Sequence, residues 1–174
     1  MVVTLLKRTP PLLRPFAAAA LSCLVFQTAP VFAGEPPHAP AFAVRGLDGR
    51  TVRFTDFKGK PVVLDFWATW CAPCRATMPH LDTVQQRYRE RGLVVLGVSV
   101  DDADAEFVKR YATKLGVKFR LAIADEDVLE SYGPIRSIPT TFFIDRRGVV
   151  TRRVVGYIDA ETLDSYVTEL VELK

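Results

Sequence analysis

Histidine and cysteine are scarce in this chain. Its 174 residues include two histidines, His38 and His80, and three cysteines, Cys23, Cys71 and Cys74. A zinc site would need two ligands beyond the Cys71/Cys74 pair, and no second cysteine pair supplies them. A cysteine protease would need a base set against its thiolate. His80 falls six residues past Cys74 in one helical stretch, away from a whole number of turns, and is read as a surface residue. Basic surplus is also missing once the formal charge of +3 is located. Lys7, Arg8 and Arg14 precede residue 34 and no acid does; beyond that point 20 bases face 20 acids, interspersed along the chain. A nucleic-acid role therefore lacks a continuous basic face as well as a motif. The acidic run Asp101–Glu106 lacks the glycine and the twelfth-position glutamate of a calcium loop, Ala112 standing in the latter place; it reads as a helix cap.

What is present is an ordinary globular composition, 49% hydrophobic and 25% charged, with length for one domain. The positive residues at the start are followed by an apolar stretch, Phe16–Phe26, and by Val31-Phe32-Ala33 before Gly34. Residues 1–33 read as a signal peptide cut after Ala33 or as an N-terminal membrane anchor, with lipid attachment at Cys23 a third reading. Residues 34–41 hold three prolines in Glu35–Pro40 and read as an extended tether without sheet pairing. Residues 42–174 form the domain.

Within the domain, Phe42–Leu47 and Thr51–Phe54 flank an Asp48-Gly49 hairpin signal. Val62–Ala68 and Leu93–Val100 are apolar runs suited to buried strands, and Phe119–Ala124 is a further strand candidate. Helical spacing covers Ala72–Arg91, Ala103–Leu115, Val128–Tyr132 and Ala160–Leu173. Thr140–Ile144 and Val149–Val155 pair around Gly148. The pattern is α/β.

The chemistry concentrates at Trp67-Ala68-Thr69-Trp70-Cys71-Ala72-Pro73-Cys74. A buried strand ends just before Cys71 and a helix begins there. Unpaired N–H groups and the positive end of the helix dipole stabilise a thiolate at that position. Cys74 follows one turn later, close enough for a short disulfide, and Pro73 suits the first helical turn. A purely structural disulfide closing so short a loop restrains the unfolded chain weakly. Asp65 interrupts an otherwise apolar strand. It is either a carboxylate satisfied by a backbone donor or at the wet end of the strand, or a proton acceptor for Cys74 with a raised pKa.

The run Phe66–Cys74 resembles the active site of the thioredoxin superfamily. With the N-terminal segment, Phe54-Thr55-Asp56-Phe57-Lys58-Gly59-Lys60 and Ile138-Pro139-Thr140-Thr141-Phe142-Phe143-Ile144-Asp145, the chain resembles the TlpA/ResA group of exported thiol-disulfide reductases over about residues 40–172. The resemblance implies a thioredoxin fold with an N-terminal β-hairpin extension and a central strand–helix insertion. It implies Cys71 as attacking and Cys74 as resolving thiol, with Asp65 at the position of the buried aspartate of cytoplasmic thioredoxins. Trp70, Ile138, Pro139 and Thr140 become the substrate-facing residues, Pro139 as a cis proline, and Trp67, Ala72 and Pro73 complete the motif. No cofactor or metal is implied. The implied partners are disulfide-containing proteins, such as apocytochrome c or respiratory copper-site proteins, and a membrane electron donor of the CcdA or DsbD type. The chain is expected to act as a monomer in the periplasm or on the outer face of the cytoplasmic membrane.

Two positions depart from those patterns. The lysine that thioredoxins place opposite the aspartate is Gly97 here, and the glutamate common in ResA-like proteins is Thr77. Three other functions are weighed against the reductase: a disulfide-forming oxidant, a Cu(I)-binding or scaffold module, and a peroxiredoxin-like peroxidase. The last needs Thr-x-x-Cys, and Thr69 stands two residues before Cys71.

Overall fold

The computed structural model describes residues 37–173. The leader, the cleavage reading and Cys23 lie outside the described residues. Seven strands form one mixed sheet in the order β2-β1-β5-β4-β3-β6-β7. They are β1 (Ala43–Gly46), β2 (Thr51–Arg53), β3 (Val62–Trp67), β4 (Val94–Ser99), β5 (Arg120–Ile123), β6 (Thr140–Ile144) and β7 (Val150–Val155). Four α-helices join or follow them: α1 (Ala72–Arg87), α2 (Ala105–Lys114), α3 (Glu126–Ser131) and α4 (Ala160–Glu172).

The central strands β3, β4 and β5 run parallel, which requires crossover connections. Helices α1 and α2 supply them. Strand β6 lies antiparallel to β3, and β7 to β6. Consequently β3, β4, β5 and β7 all point toward one pole of the domain, and all four α-helices start there.

Alternation along β3 divides the core. Val63 and Trp67 enter a cluster with Met78 and Leu81 of α1 and Leu163, Val167 and Leu170 of α4. Val62, Leu64 and Phe66 face the second cluster, which holds Val44 and Val52 of the first hairpin, Phe57, and Val128 and Tyr132 at α3. Thus the N-terminal hairpin and the β5–α3 segment cover a sheet face that would otherwise be wet. Tyr132 packs edge-on against Phe142 with ring centroids 5.1 Å apart. Its hydroxyl donates to the Pro40 carbonyl at 3.0 Å, and burial pushes its phenol pKa up. Each fully buried Leu, Val or Phe of these clusters contributes about 1.5–3 kcal/mol relative to exposure.

Two expectations are adjusted. The stretch 72–91 is not one helix: α1 ends at Arg87, Arg89–Arg91 form a 3₁₀ turn, and Gly92 closes it at φ 82°. The helix continues through Pro79, at the loss of one backbone hydrogen bond. The tether does pair with the sheet: His38 bridges Val149, Val150 N–H donates to the Pro37 carbonyl, and Ala39 N–H donates to the Gly148 carbonyl. Proline removes its own donor, but its carbonyl and the donors of its neighbours remain. Among the described residues no helix is long and apolar enough to cross a membrane.

Candidate active site

Cys71 is the N-cap of α1, with extended backbone at φ −83° and ψ 106°. Its Sγ accepts the Cys74 N–H at 3.2 Å. Cys71 and Cys74 are joined as a disulfide, with Cα atoms 5.3 Å apart. Cys71 keeps a sliver of exposure and Cys74 has none, 5% against 0%. An incoming thiol or disulfide therefore meets Cys71 first. On reduction, the N-cap donor and the helix dipole favour its thiolate over that of a free cysteine. Trp70, 68% exposed, is the most exposed large apolar side chain among the described residues.

The second wall comes from the chain entering β6. Ile138-Pro139 is a cis peptide bond. The Ile138 carbonyl oxygen lies 3.7 Å from Cys71 Sγ. Gly156 N–H donates to the Pro139 carbonyl at 2.8 Å, which ties this segment to the end of β7. Thr140 is buried, and its hydroxyl donates to the Ser137 carbonyl at 2.7 Å, so its side chain faces inward. Beside Gly156, Val155 and Tyr157 are exposed. The Tyr157 hydroxyl lies 3.5 Å from His80 Nε2, which puts half-buried His80 against Tyr157. Thr77, buried, donates to the Pro73 carbonyl at 3.2 Å and offers no carboxylate.

Asp65 sits neither at a wet strand end nor on a backbone donor. It is 1% exposed and shares the β3 face of Val63 and Trp67, which pack in the cluster containing Cys74. The Thr141 hydroxyl donates to its Oδ1 at 2.7 Å, while Oδ2 has no hydrogen-bond partner. Burial pushes its carboxyl up to about 7, with the Thr141 bond pulling modestly the other way. Gly97 is the residue paired with Asp65 across the β3–β4 ladder. A Cβ there would meet Leu121 Cδ2 at 2.7 Å, Phe119 Cε2 at 3.0 Å and Trp67 Nε1 at 3.2 Å. Side chains already fill the space a lysine would need. The Trp67 indole N–H, like Asp65 Oδ2, is buried without a partner.

Asp101 is the residue the sequence reading misplaced. Asp104, three residues later, caps α2 by accepting the Phe107 N–H. Asp101 is buried and faces the turn before Cys71 instead. Its carboxylate accepts the Thr69 N–H at 2.9 Å and 3.2 Å, the Thr69 hydroxyl at 2.6 Å and the Ser99 hydroxyl at 2.6 Å. Arg75 donates to the Thr69 carbonyl at 3.3 Å. Thr69 is thereby held from both sides, two residues before Cys71. The partners lie 32 residues apart, a separation that local pattern cannot bridge.

Among the described residues, no group of three or more His, Cys, Asp or Glu side chains is placed to hold a metal ion. The AhpC/TSA family model matches residues 37–153. The thiol-disulfide oxidoreductase ResA of Bacillus thuringiensis (strain Al Hakam) is 35% identical over 133 residues, covering 76% of each chain. A solved structure described as a thiol:disulfide interchange protein, thioredoxin family protein, of Chlorobium tepidum TLS superposes with TM-score 0.73 at 30% identity, covering 79% of this chain and 98% of that one. A secreted Mycobacterium tuberculosis disulfide oxidoreductase homologous to E. coli DsbE superposes with TM-score 0.67 at 25% identity, covering 74% and 96%.

Proposed function

Because the chain belongs to the AhpC/TSA family and is a ResA-like thiol-disulfide oxidoreductase of thioredoxin fold, we propose that it works outside the cytoplasm as a reductant of protein disulfides. The observation that carries the reading is the asymmetry of the pair: Cys71 is a helix N-cap that keeps a sliver of exposure, and Cys74 is sealed beneath it.

Reduced Cys71 attacks one sulfur of a substrate disulfide. A mixed disulfide forms and the other substrate sulfur leaves as thiolate. Asp65 then accepts the proton of Cys74, and the Cys74 thiolate attacks Cys71 Sγ. The second substrate thiolate leaves, and two electrons have passed from the Cys71/Cys74 dithiol to the substrate. An acceptor whose carboxyl titrates near neutrality suits this step, being partly ionised at working pH and basic enough to take a thiol proton. The substrate strand lies between Trp70 and the Ile138–Pro139 segment, against backbone polar groups. In keeping with its buried hydroxyl, Thr140 shapes that segment rather than touching substrate.

The export reading rests on residues 1–33, as cleaved leader or retained anchor, with residues 34–41 linking them to the domain. An exported reductant needs electrons from across the membrane, so a carrier of the CcdA or DsbD type is its proposed donor. Apocytochrome c and respiratory copper-site proteins are its proposed substrates. The chain acts as a monomer; Arg153 on the edge strand β7 opposes edge-to-edge pairing.

Trapping tests the assignment. Cys74→Ala should accumulate covalent adducts with exported proteins through Cys71, and Cys71→Ala should accumulate none. Equal trapping by both variants, or none by either, would contradict the assigned order of attack.

A further inference from the structure

The domain is electrically polarised, although its bases and acids balance in number. Each α-helix starts at the pole that holds Cys71. Asp104, Asp125 and Asp159 cap α2, α3 and α4 there through side-chain oxygens. Exposed Asp102, Glu126 and Glu161 join them. Capping favours acids at helix starts. With all helices parallel in sense, those acids collect at one pole.

The other pole lies at the start of β3 and β4 and the end of β6, where Val62 pairs with Val94 and with Ile144. Six residues of β3 set it about 20 Å from the catalytic end. Lys58 and Lys60 precede β3, Arg89 and Arg91 precede β4, and Arg146 and Arg147 follow β6. The Arg146 guanidinium joins the three loops by donating to the carbonyls of Gly59 at 3.3 Å and Arg91 at 2.7 Å. Its bonds go to neutral acceptors, so its charge is not cancelled. Lys58, Lys60 and Arg146 form no ion pair among the described residues. Of the acids nearby, Asp145 is buried in its own turn and pairs with Arg147, which leaves that pair without net charge, and Asp56 accepts the Arg53 N–H and keeps its charge. Glu90 and Glu172 stand exposed beside Arg89 and Arg91 at 3.4 Å and 3.9 Å, where pairing is weak. Chain order had suggested interspersed charge; the common direction of the helices and the three adjacent loops sort it in space.

The described chain also begins at this pole. Pro37, His38 and Ala39 are bonded to Gly148, Val149 and Val150, at the β6–β7 turn. Residues 1–36 precede that point, and Phe16–Phe26 is their apolar stretch. We propose that the pole formed by Lys58, Lys60, Arg89, Arg91, Arg146 and Arg147 docks on an anionic lipid surface, so that Cys71 faces away from the bilayer. Two independent observations select a membrane as occupant: the charge sign, opposite to that of acidic headgroups, and the start of the described chain at the same pole, with the apolar stretch Phe16–Phe26 earlier in the sequence. The catalytic pole, rich in acids, is repelled by the same surface, which reinforces the orientation. This extends the export reading and does not depend on the direction of electron flow.

The test mixes the full-length chain with phosphatidylcholine vesicles, or with vesicles containing about one-third phosphatidylglycerol, and follows acetylation of lysines by a membrane-impermeant reagent. Lys58 and Lys60 should react at least about fivefold more slowly on the anionic vesicles, and salt near ~1 M should abolish the difference. Alkylation of reduced Cys71 should proceed equally on both. The double variant Arg89→Glu/Arg91→Glu, checked for unchanged insulin reduction in solution, should lose the protection. Equal lysine rates on both lipids, protection that persists in high salt, or slowed Cys71 alkylation would each overturn the proposal. Protection by polyglutamate but not by anionic vesicles would assign the pole to an acidic protein and overturn it too. Insulin reduction, measured in parallel, reports on the reductase reading separately.

Discussion

The Thr141 hydroxyl donates 2.7 Å to Oδ1 of Asp65, and the other carboxylate oxygen, equally buried, has no partner. One hydrogen bond is too little to offset removal of a full charge from water. The carboxyl is therefore held protonated until near pH 7. Near pH 7 part of it is carboxylate, basic enough to take a thiol proton, and that is the physical basis for giving it the acceptor role.

The same shift carries a stability cost with a defined sign. Below about pH 4 Asp65 is protonated in both folded and unfolded chains, and contributes nothing. As pH rises toward 7 only the unfolded chain ionises, so stability falls; above 7 the loss levels off at about 4 kcal/mol. Asp65→Asn retains an acceptor for Thr141 and removes the titration. The stability of this variant relative to wild type should rise by about 3–4 kcal/mol between pH 4 and pH 8, measured by denaturant unfolding of the oxidised forms. A difference that stays flat with pH would show that the carboxyl titrates at its ordinary value.

Kinetics should respond in the opposite direction. Asp65→Asn should slow insulin reduction several-fold at pH 7, and an inflection of the rate near that pH, expected in wild type, should be absent from the variant. A single-turnover assay of mixed-disulfide resolution isolates the step. Unchanged turnover and pH profile would remove Asp65 from the mechanism.

Asp101 should matter through geometry. Asp101→Ala strips acceptors from the Thr69 N–H and from the hydroxyls of Thr69 and Ser99, all in a buried setting. Unsatisfied buried donors cost about 1–3 kcal/mol each, and partial relaxation makes about 2–4 kcal/mol the expected loss. Amide hydrogen exchange at Thr69 should accelerate more than that at the distant α4 amides. Uniform acceleration across the domain would mean that the residue does not hold this turn in particular.

Gly97 should not accept the lysine seen opposite the aspartate in thioredoxins. Gly97→Ala alone pushes a methyl within 3.2 Å of Leu121, Phe119 and Trp67 side-chain atoms, and should cost about 1–3 kcal/mol. Gly97→Lys should destabilise further. Thermal unfolding of the two variants decides it; a Gly97→Lys protein as stable as wild type would mean that these side chains yield more easily than the packing indicates.

The sequence exposed some of this and hid the rest for physical reasons. Strand runs, helix periodicity and the Cys71/Cys74 spacing are local patterns, and the elements they mark fall within a few residues of the observed ones. The burial of Asp65 was legible because a charged residue broke the apolar run Val62–Trp67. Asp101 was not, because its partner Thr69 comes from another strand end and an acidic run beside a helix looks like capping. Nor was the pairing of residues 37–39, which depends on what prolines accept rather than on what they cannot donate. Charge polarity was invisible to a count, since it follows from the shared direction of the helices.

The reduction potential of the Cys71/Cys74 couple tests the central claim most directly. Equilibration of the full chain with glutathione and dithiothreitol buffers, read by the fraction of alkylated Cys71, should place it in the reducing range, at about −230 mV or lower. A value near about −120 mV, where strong disulfide-forming oxidants lie, would contradict the account and make the chain an oxidant.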